Sequence, residues 1–281
     1  MNRTLSLFLL SVLMICFGAC DLATLQGVEE EVFQLSSDDT GYEYEITVLL
    51  PPDYDDSQTY PSVYLLDGHW HYPHAAADAQ RMMAAGEIEP ILLIGIAYAN
   101  IPPNTLGGFG TISDIRVDDF TFPKNTEDAE NGGKAFAFRD FIAQDLIPEI
   151  ESRYPTGANE RTLMGHSLGG YFGIWEMLTF PDRSLFENIE SGSPALWWAD
   201  GYLMEQEEEL NEAGTPLPFR LHTTMGSLES VVWNTFFDEF EARLLEHQPA
   251  GLDLKVERFP RGHAANAEIG YSQGLLHFFG Q

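Results

Sequence analysis

A serine set between glycines, directly after a short apolar run, constrains this chain more than any other feature. The residues are Gly165-His166-Ser167-Leu168-Gly169-Gly170. Arg161-Thr162-Leu163-Met164 before them reads as a strand, and the segment from Gly170 to Thr179 after them as a helix. A chain that passes directly from strand to helix must turn sharply, with its backbone strained at the serine. The positions two residues either side must then be small, which Gly165 and Gly169 satisfy. The same alternation runs along the chain. Strand composition recurs at Tyr44–Leu50, Val63–Leu66, Ile91–Ala97, Asn188–Glu190, Phe219–Thr224 and Leu252–Phe259. Helical stripes lie between: Phe138, Phe141, Ile142, Leu146 and Ile150, then Ser230 to His247, then a last helix from near Asn266. Pro148 should kink the first of these or mark its last turns. Such alternation predicts an α/β protein with a mostly parallel central sheet and helices on both faces.

Two stretches fall outside this pattern. From Tyr98 to Gly133 no period is usable, and the segment is expected to be a loop over the functional site. Residues 21–40 are acidic and weakly periodic, and are read as a tether ahead of one domain at 41–281. Residues 1–20 read as an export signal: Arg3 precedes an apolar run, Leu5 to Ala19, too short for a comfortable membrane span. Both cysteines, Cys16 and Cys20, lie there, so the domain beyond has no disulfide and no cysteine metal site. Phe17-Gly18-Ala19-Cys20 resembles a bacterial lipobox, with Phe17 and Gly18 as departures. The expectation is a lipoprotein of the bacterial cell envelope, attached to the membrane through Cys20; plain secretion and an uncleaved anchor are the alternatives. With 44 acidic against 14 basic residues, a formal net of −30, the chain is a poor partner for nucleic acid or an anionic membrane surface.

A serine hydroxyl needs a base within hydrogen-bond reach before it attacks a carbonyl. On an elbow of the α/β-hydrolase kind the chain order is Ser, acid, His. Order removes His69, His71, His74 and His166 as base. His222 falls inside a strand, His247 ends a helix and His277 is deep in the last helix. His263 follows a strand in Pro260-Arg261-Gly262-His263, a loop where such folds place function. The orienting acid should follow the strand ending near Thr224. Glu229 is placed for this, with Asp238, over two turns into the next helix, as its rival and an acid-free dyad as a further reading.

Together these residues resemble the esterase family that includes esterase D, enterobactin, feruloyl and acetyl-xylan esterases and the mycolyltransferases. The likeness runs from about residue 40. It includes Val63-Tyr64-Leu65-Leu66-Asp67-Gly68-His69, Arg116-Val117-Asp118-Asp119-Phe120-Thr121-Phe122-Pro123 and the helix from Phe141 to Tyr154. The Ser167 elbow, the Gly226–Glu229 turn and the His263 loop complete it. The resemblance implies an α/β-hydrolase fold and a serine carboxylic-ester hydrolase that uses no cofactor. It implies that the backbone N–H of His69 joins that of Leu168 as oxyanion donor. Asp67, Gly68, His166 and Trp197 stand as candidates to line the substrate site. The substrate is expected to be a small-molecule or polymer-linked ester, and the oligomeric state stays open. An acyltransferase of the mycolyltransferase type and a non-catalytic binding module on the same scaffold are the rival readings. His69-Trp70-His71-Tyr72-Pro73-His74 has the spacing of a metal site, but no carboxylate or cysteine completes it, and no metal is expected. Trp197-Trp198 is expected as a lid or core contact, able to stack on an aromatic or sugar group.

Overall fold

The computed structural model describes residues 29–101, 109–123 and 132–281. The expected signal segment, with Cys16 and Cys20, lies outside the described residues. Among the described residues eight strands form one sheet: β1 (Glu30–Ser36), β2 (Glu43–Leu49), β3 (Tyr60–Leu65), β4 (Leu92–Tyr98), β5 (Thr156–His166), β6 (Asn188–Gly192), β7 (Arg220–Gly226) and β8 (Asp253–Phe259). Their spatial order is β1-β2-β4-β3-β5-β6-β7-β8. β1, β2 and β4 pair antiparallel, and every pair from β4 through β3 to β8 is parallel. This is the α/β-hydrolase arrangement. The strands β3 and β4 are buried on both faces along most of their length, so they read as largely apolar runs, with Ser62 the polar exception, rather than alternating ones.

Each face has its own core. On one, α1 (Gly68–Ala85) packs against α8 (His263–Phe279) through Ala75, Ala79, Met82, Ala267, Tyr271 and Leu275. The opposite face carries α3 (Ala135–Phe141), α4 (Ile147–Arg153), α5 (Leu168–Thr179), α6 (Tyr202–Ala213) and α7 (Val231–His247). Trp175, Phe172, Phe138 and Phe141 form its centre. The expected stripe from Phe138 to Ile150 is one helical path. A π turn, Ile142–Leu146, joins α3 to α4, and Ile147 N–H donates to the carbonyl of Ile142. Pro148 falls just after that widened turn, in the first turn of α4, and the helix runs on to Arg153.

Three expectations need correction. The segment from Tyr98 to Gly133 is not a structureless loop, because it contains α2 (Phe109–Phe120). Residues 30–36, read as tether, are the edge strand β1, with Glu30 to Ser36 in register against Leu49 to Glu43. The last helix starts at His263, not Asn266. Among the described residues no helix is long and apolar enough to cross a membrane.

Candidate active site

The candidate residues gather where the parallel strands end. β5 stops at His166, and Ser167 turns the chain into α5 with φ 60° and ψ −116°. That left-handed backbone is unfavourable for any residue with a β-carbon. The neighbouring strand holds it: Ser167 N–H donates to Gly192 O at 2.9 Å, and the Ser167 carbonyl accepts from Tyr171 and Ala195. The small-residue requirement falls partly elsewhere than expected. A β-carbon on Gly165 would lie 2.4 Å from the carbonyl carbon and oxygen of Gly169, which no real contact allows. One on Gly169 would meet Leu66 at an ordinary 3.5 Å, whereas one on Gly170 would crowd Gly192 O at 3.0 Å. The tight positions are therefore Gly165 and Gly170.

His263 opens α8 rather than sitting in the loop before it. Its Nδ1–H donates to Glu229 Oε2 at 2.6 Å, and Glu229 has no exposed side-chain surface. The turn after β7 explains this. Glu229 folds back over its own turn, so that its Oε1 accepts from Gly226 N–H at 3.0 Å. A β-carbon on Gly226 would lie 2.4 Å from Arg261 O and 2.6 Å from that carboxylate, so only glycine fits. Ser230 then caps α7 by accepting from Trp233 N–H. Asp238, the rival acid, is an exposed partner of Arg258 at 2.6 Å and does not join this group. The His263 ring lies 4.5 Å from that of His166 and 4.8 Å from that of Trp233, centroid to centroid.

The turn after β3 supplies the second expected donor. Asp67 caps α1 in the left-handed region, φ 56°, and its carbonyl accepts from Trp70 and His71. Leu168 and His69 lie in the first turns of their helices, where backbone N–H groups have no acceptor within the helix. Gly68 lies close there, since a β-carbon would crowd the backbone of Ile96 at 3.0 Å.

Two of the proposed substrate-lining side chains are not available to substrate. Asp67 is buried and bound bidentately by Arg116, at 2.6 and 2.8 Å. His166 is buried beneath the elbow, and burial holds its pKa well below the ordinary histidine value. Trp197 remains partly exposed, its ring parallel to that of Trp233 at 6.3 Å. Trp198 is instead a core residue whose indole donates to Pro123 O. The three histidines of α1 do not converge on one point. His69 packs on Trp70 and Tyr98, with its pKa pushed down to about 4 by burial. His71 faces His166 and Tyr271, and His74 faces Glu268.

Sequence reasoning gave no role to three residues that hold this site. Arg116 lay in a motif read as loop. Ser193 follows β6 much as Ser167 follows β5, and its hydroxyl donates to Glu229 Oε1 at 2.5 Å. Asn266 donates to Ser193 at 2.9 Å. The position after a parallel strand's C-terminal end was the available signal for Ser193.

Comparison with known proteins agrees with this picture. The sequence profile of a family described as "Putative esterase" matches residues 37–220. The ferri-bacillibactin esterase BesA of Bacillus subtilis is 30% identical over 204 residues, 68% of this chain and 66% of that protein. The siderophore triacetylfusarinine C esterase of Aspergillus fumigatus is 31% identical over 175 residues, 60% of this chain and 56% of that one. The chain thus spans less than two thirds of either relative. The crystal structure of the BES protein from Bacillus cereus superposes with a TM-score of 0.78 at 24% identity, covering 99% of both chains, which shows the shared fold.

Proposed function

This chain belongs to the esterase family whose profile spans residues 37–220, and from that premise we propose that it is a serine carboxylic-ester hydrolase acting through an acyl-enzyme on Ser167. The observation that carries the reading is the strained serine at φ 60° together with the 2.6 Å bond from His263 to the buried Glu229. Glu229 occupies Nδ1 of His263, so Nε2 is the nitrogen free to take the serine proton. Ser167 Oγ attacks the ester carbonyl as His263 Nε2 accepts that proton. The carbonyl electrons move onto oxygen, where the N–H groups of Leu168 and His69 stabilise the charge, by about 3–4 kcal/mol for each donor. The tetrahedral adduct collapses, the C–O bond to the alcohol breaks, and His263 returns the proton to the departing oxygen. Water repeats the sequence on the acyl-enzyme, releasing the acid and restoring Ser167. The Glu229 carboxylate orients the imidazole and offsets the imidazolium charge.

For substrate we propose a siderophore-type ester. The support is that two relatives at 30% and 31% identity are named as esterases of such compounds. We further propose export to the bacterial envelope, with the chain attached through Cys20, on the strength of the leader residues alone.

The test is hydrolysis of p-nitrophenyl esters from acetyl to octanoyl, and of a siderophore lactone, by the parent protein and Ser167→Ala. The variant should lose at least about a thousandfold in kcat while remaining folded. Equal activity in both would remove Ser167 as nucleophile. Folded protein inactive on every ester would overturn the esterase reading.

A further inference from the structure

Behind Glu229 runs a chain of hydrogen bonds whose direction can be worked out atom by atom. Ser193 Oγ lies 2.5 Å from Glu229 Oε1. A carboxylate only accepts, so the hydroxyl proton sits on this contact. Ser193 oxygen must then accept from its other neighbour, Asn266 Nδ2, at 2.9 Å. This fixes the orientation of the Asn266 amide, whose second hydrogen reaches Thr224 Oγ1 at 3.0 Å. Asn266 is fully buried, and it stands on the first turn of α8, three residues after His263. Ser193 is buried too, at 2% exposure, and its backbone has φ 41°, an unfavourable region for a residue with a β-carbon. Its N–H donates to Thr224 O at 2.7 Å and holds that conformation.

We propose that Ser193 and Asn266 are positioning residues for the reaction, forming a one-way relay from Asn266 through Ser193 to Glu229. The relay locks the carboxylate rotamer, so that Oε1 is held by Ser193 and Gly226 while Oε2 faces His263 Nδ1. The helix that carries His263 thereby also carries the residue that sets the aim of its acid. This rests on the roles proposed above for Glu229 and His263. Since the relay touches no substrate, its loss should slow the proton transfers and leave substrate binding alone.

Two variants of the full chain test it. Ser193→Ala removes the donor. Asn266→Asp keeps the volume but sets a second acceptor against Ser193, turning the hydroxyl away from Glu229. Each is read by the low-field proton resonance of His263 Nδ1–H, identified by its loss in His263→Gln, and by kcat and KM on p-nitrophenyl esters. Both variants should displace or broaden the resonance. Both should lower kcat about tenfold or more with KM within about twofold, the size expected for one charge-assisted hydrogen bond. An unmoved resonance with kcat within about twofold of the parent in either variant overturns the relay, whatever the change in melting temperature. If the parent hydrolyses no ester, the esterase reading fails while the resonance still decides, because it reports the Glu229–His263 contact without substrate.

Discussion

At Gly165 one β-carbon decides whether the elbow closes. It would fall 2.4 Å from backbone atoms of Gly169, which cannot swing aside as a side chain would. Gly165→Ala should therefore destabilise the protein by about 3 kcal/mol, whereas Gly169→Ala should cost less than about 1 kcal/mol. Urea unfolding midpoints of the two variants give the comparison, and equal midpoints would mean that the turn relaxes freely. The sequence motif treats the two glycines alike, because spacing cannot say which side of the helix passes close to the strand. The need for Gly170 comes from Gly192 on the next strand and is invisible locally. The placement of Glu229 beside His263 was legible since its turn is built from residues 226–229. Asp238 could be set aside only once Arg258 was seen beside it. Asp67 was legible as a turn residue but not as the partner of Arg116, 49 positions away.

Among the elements, α2 shows most clearly why a helix can escape a hydrophobic pattern. Its buried residues include Ile112, Ile115 and Phe120, but also Asp118 and Asp119. Charged residues stand where a stripe would be apolar, so no period survives. The helix is fastened by polar contacts instead: Arg116 to Asp67, Tyr42 and Lys134 to Asp118, and Tyr44 to Asp119 at 2.7 Å. Burial pushes the Asp119 carboxyl up to about 8 from 3.8. Between those values the folded protein keeps a proton that the unfolded chain releases, so this group's contribution to stability falls as pH rises. Asp119→Asn removes that dependence. Between about pH 5 and 8 the variant should gain more than about 1 kcal/mol on the parent in urea unfolding. A constant difference would mean that Asp119 is ionised in the fold. The edge strand β1 was hidden for another reason. Its residues are mostly exposed and rich in Glu, a composition shared by edge strands and tethers.

Over the whole molecule the charge of −30 is the dominant long-range force. Repulsion among 44 acidic side chains opposes compaction, and only 14 basic ones offset it. Raising sodium chloride from about 0.02 to 0.5 M should lift the melting temperature by roughly 3 °C, since screening relieves this repulsion and weakens exposed ion pairs of little worth. Calorimetry at the two concentrations measures it, and a fall would show that the ion pairs dominate. The α/β architecture was legible because strand and helix periods alternate along most of the chain. The relay behind Glu229 was not, because Ser193, Glu229 and Asn266 meet only when β6, β7 and α8 are assembled. That assembly has a consequence during synthesis. Ser167 is made nearly a hundred residues before His263. On the roles proposed for Ser167 and His263, any chain still growing on the ribosome short of that histidine carries a nucleophile with no base, and is chemically silent until translation has passed it.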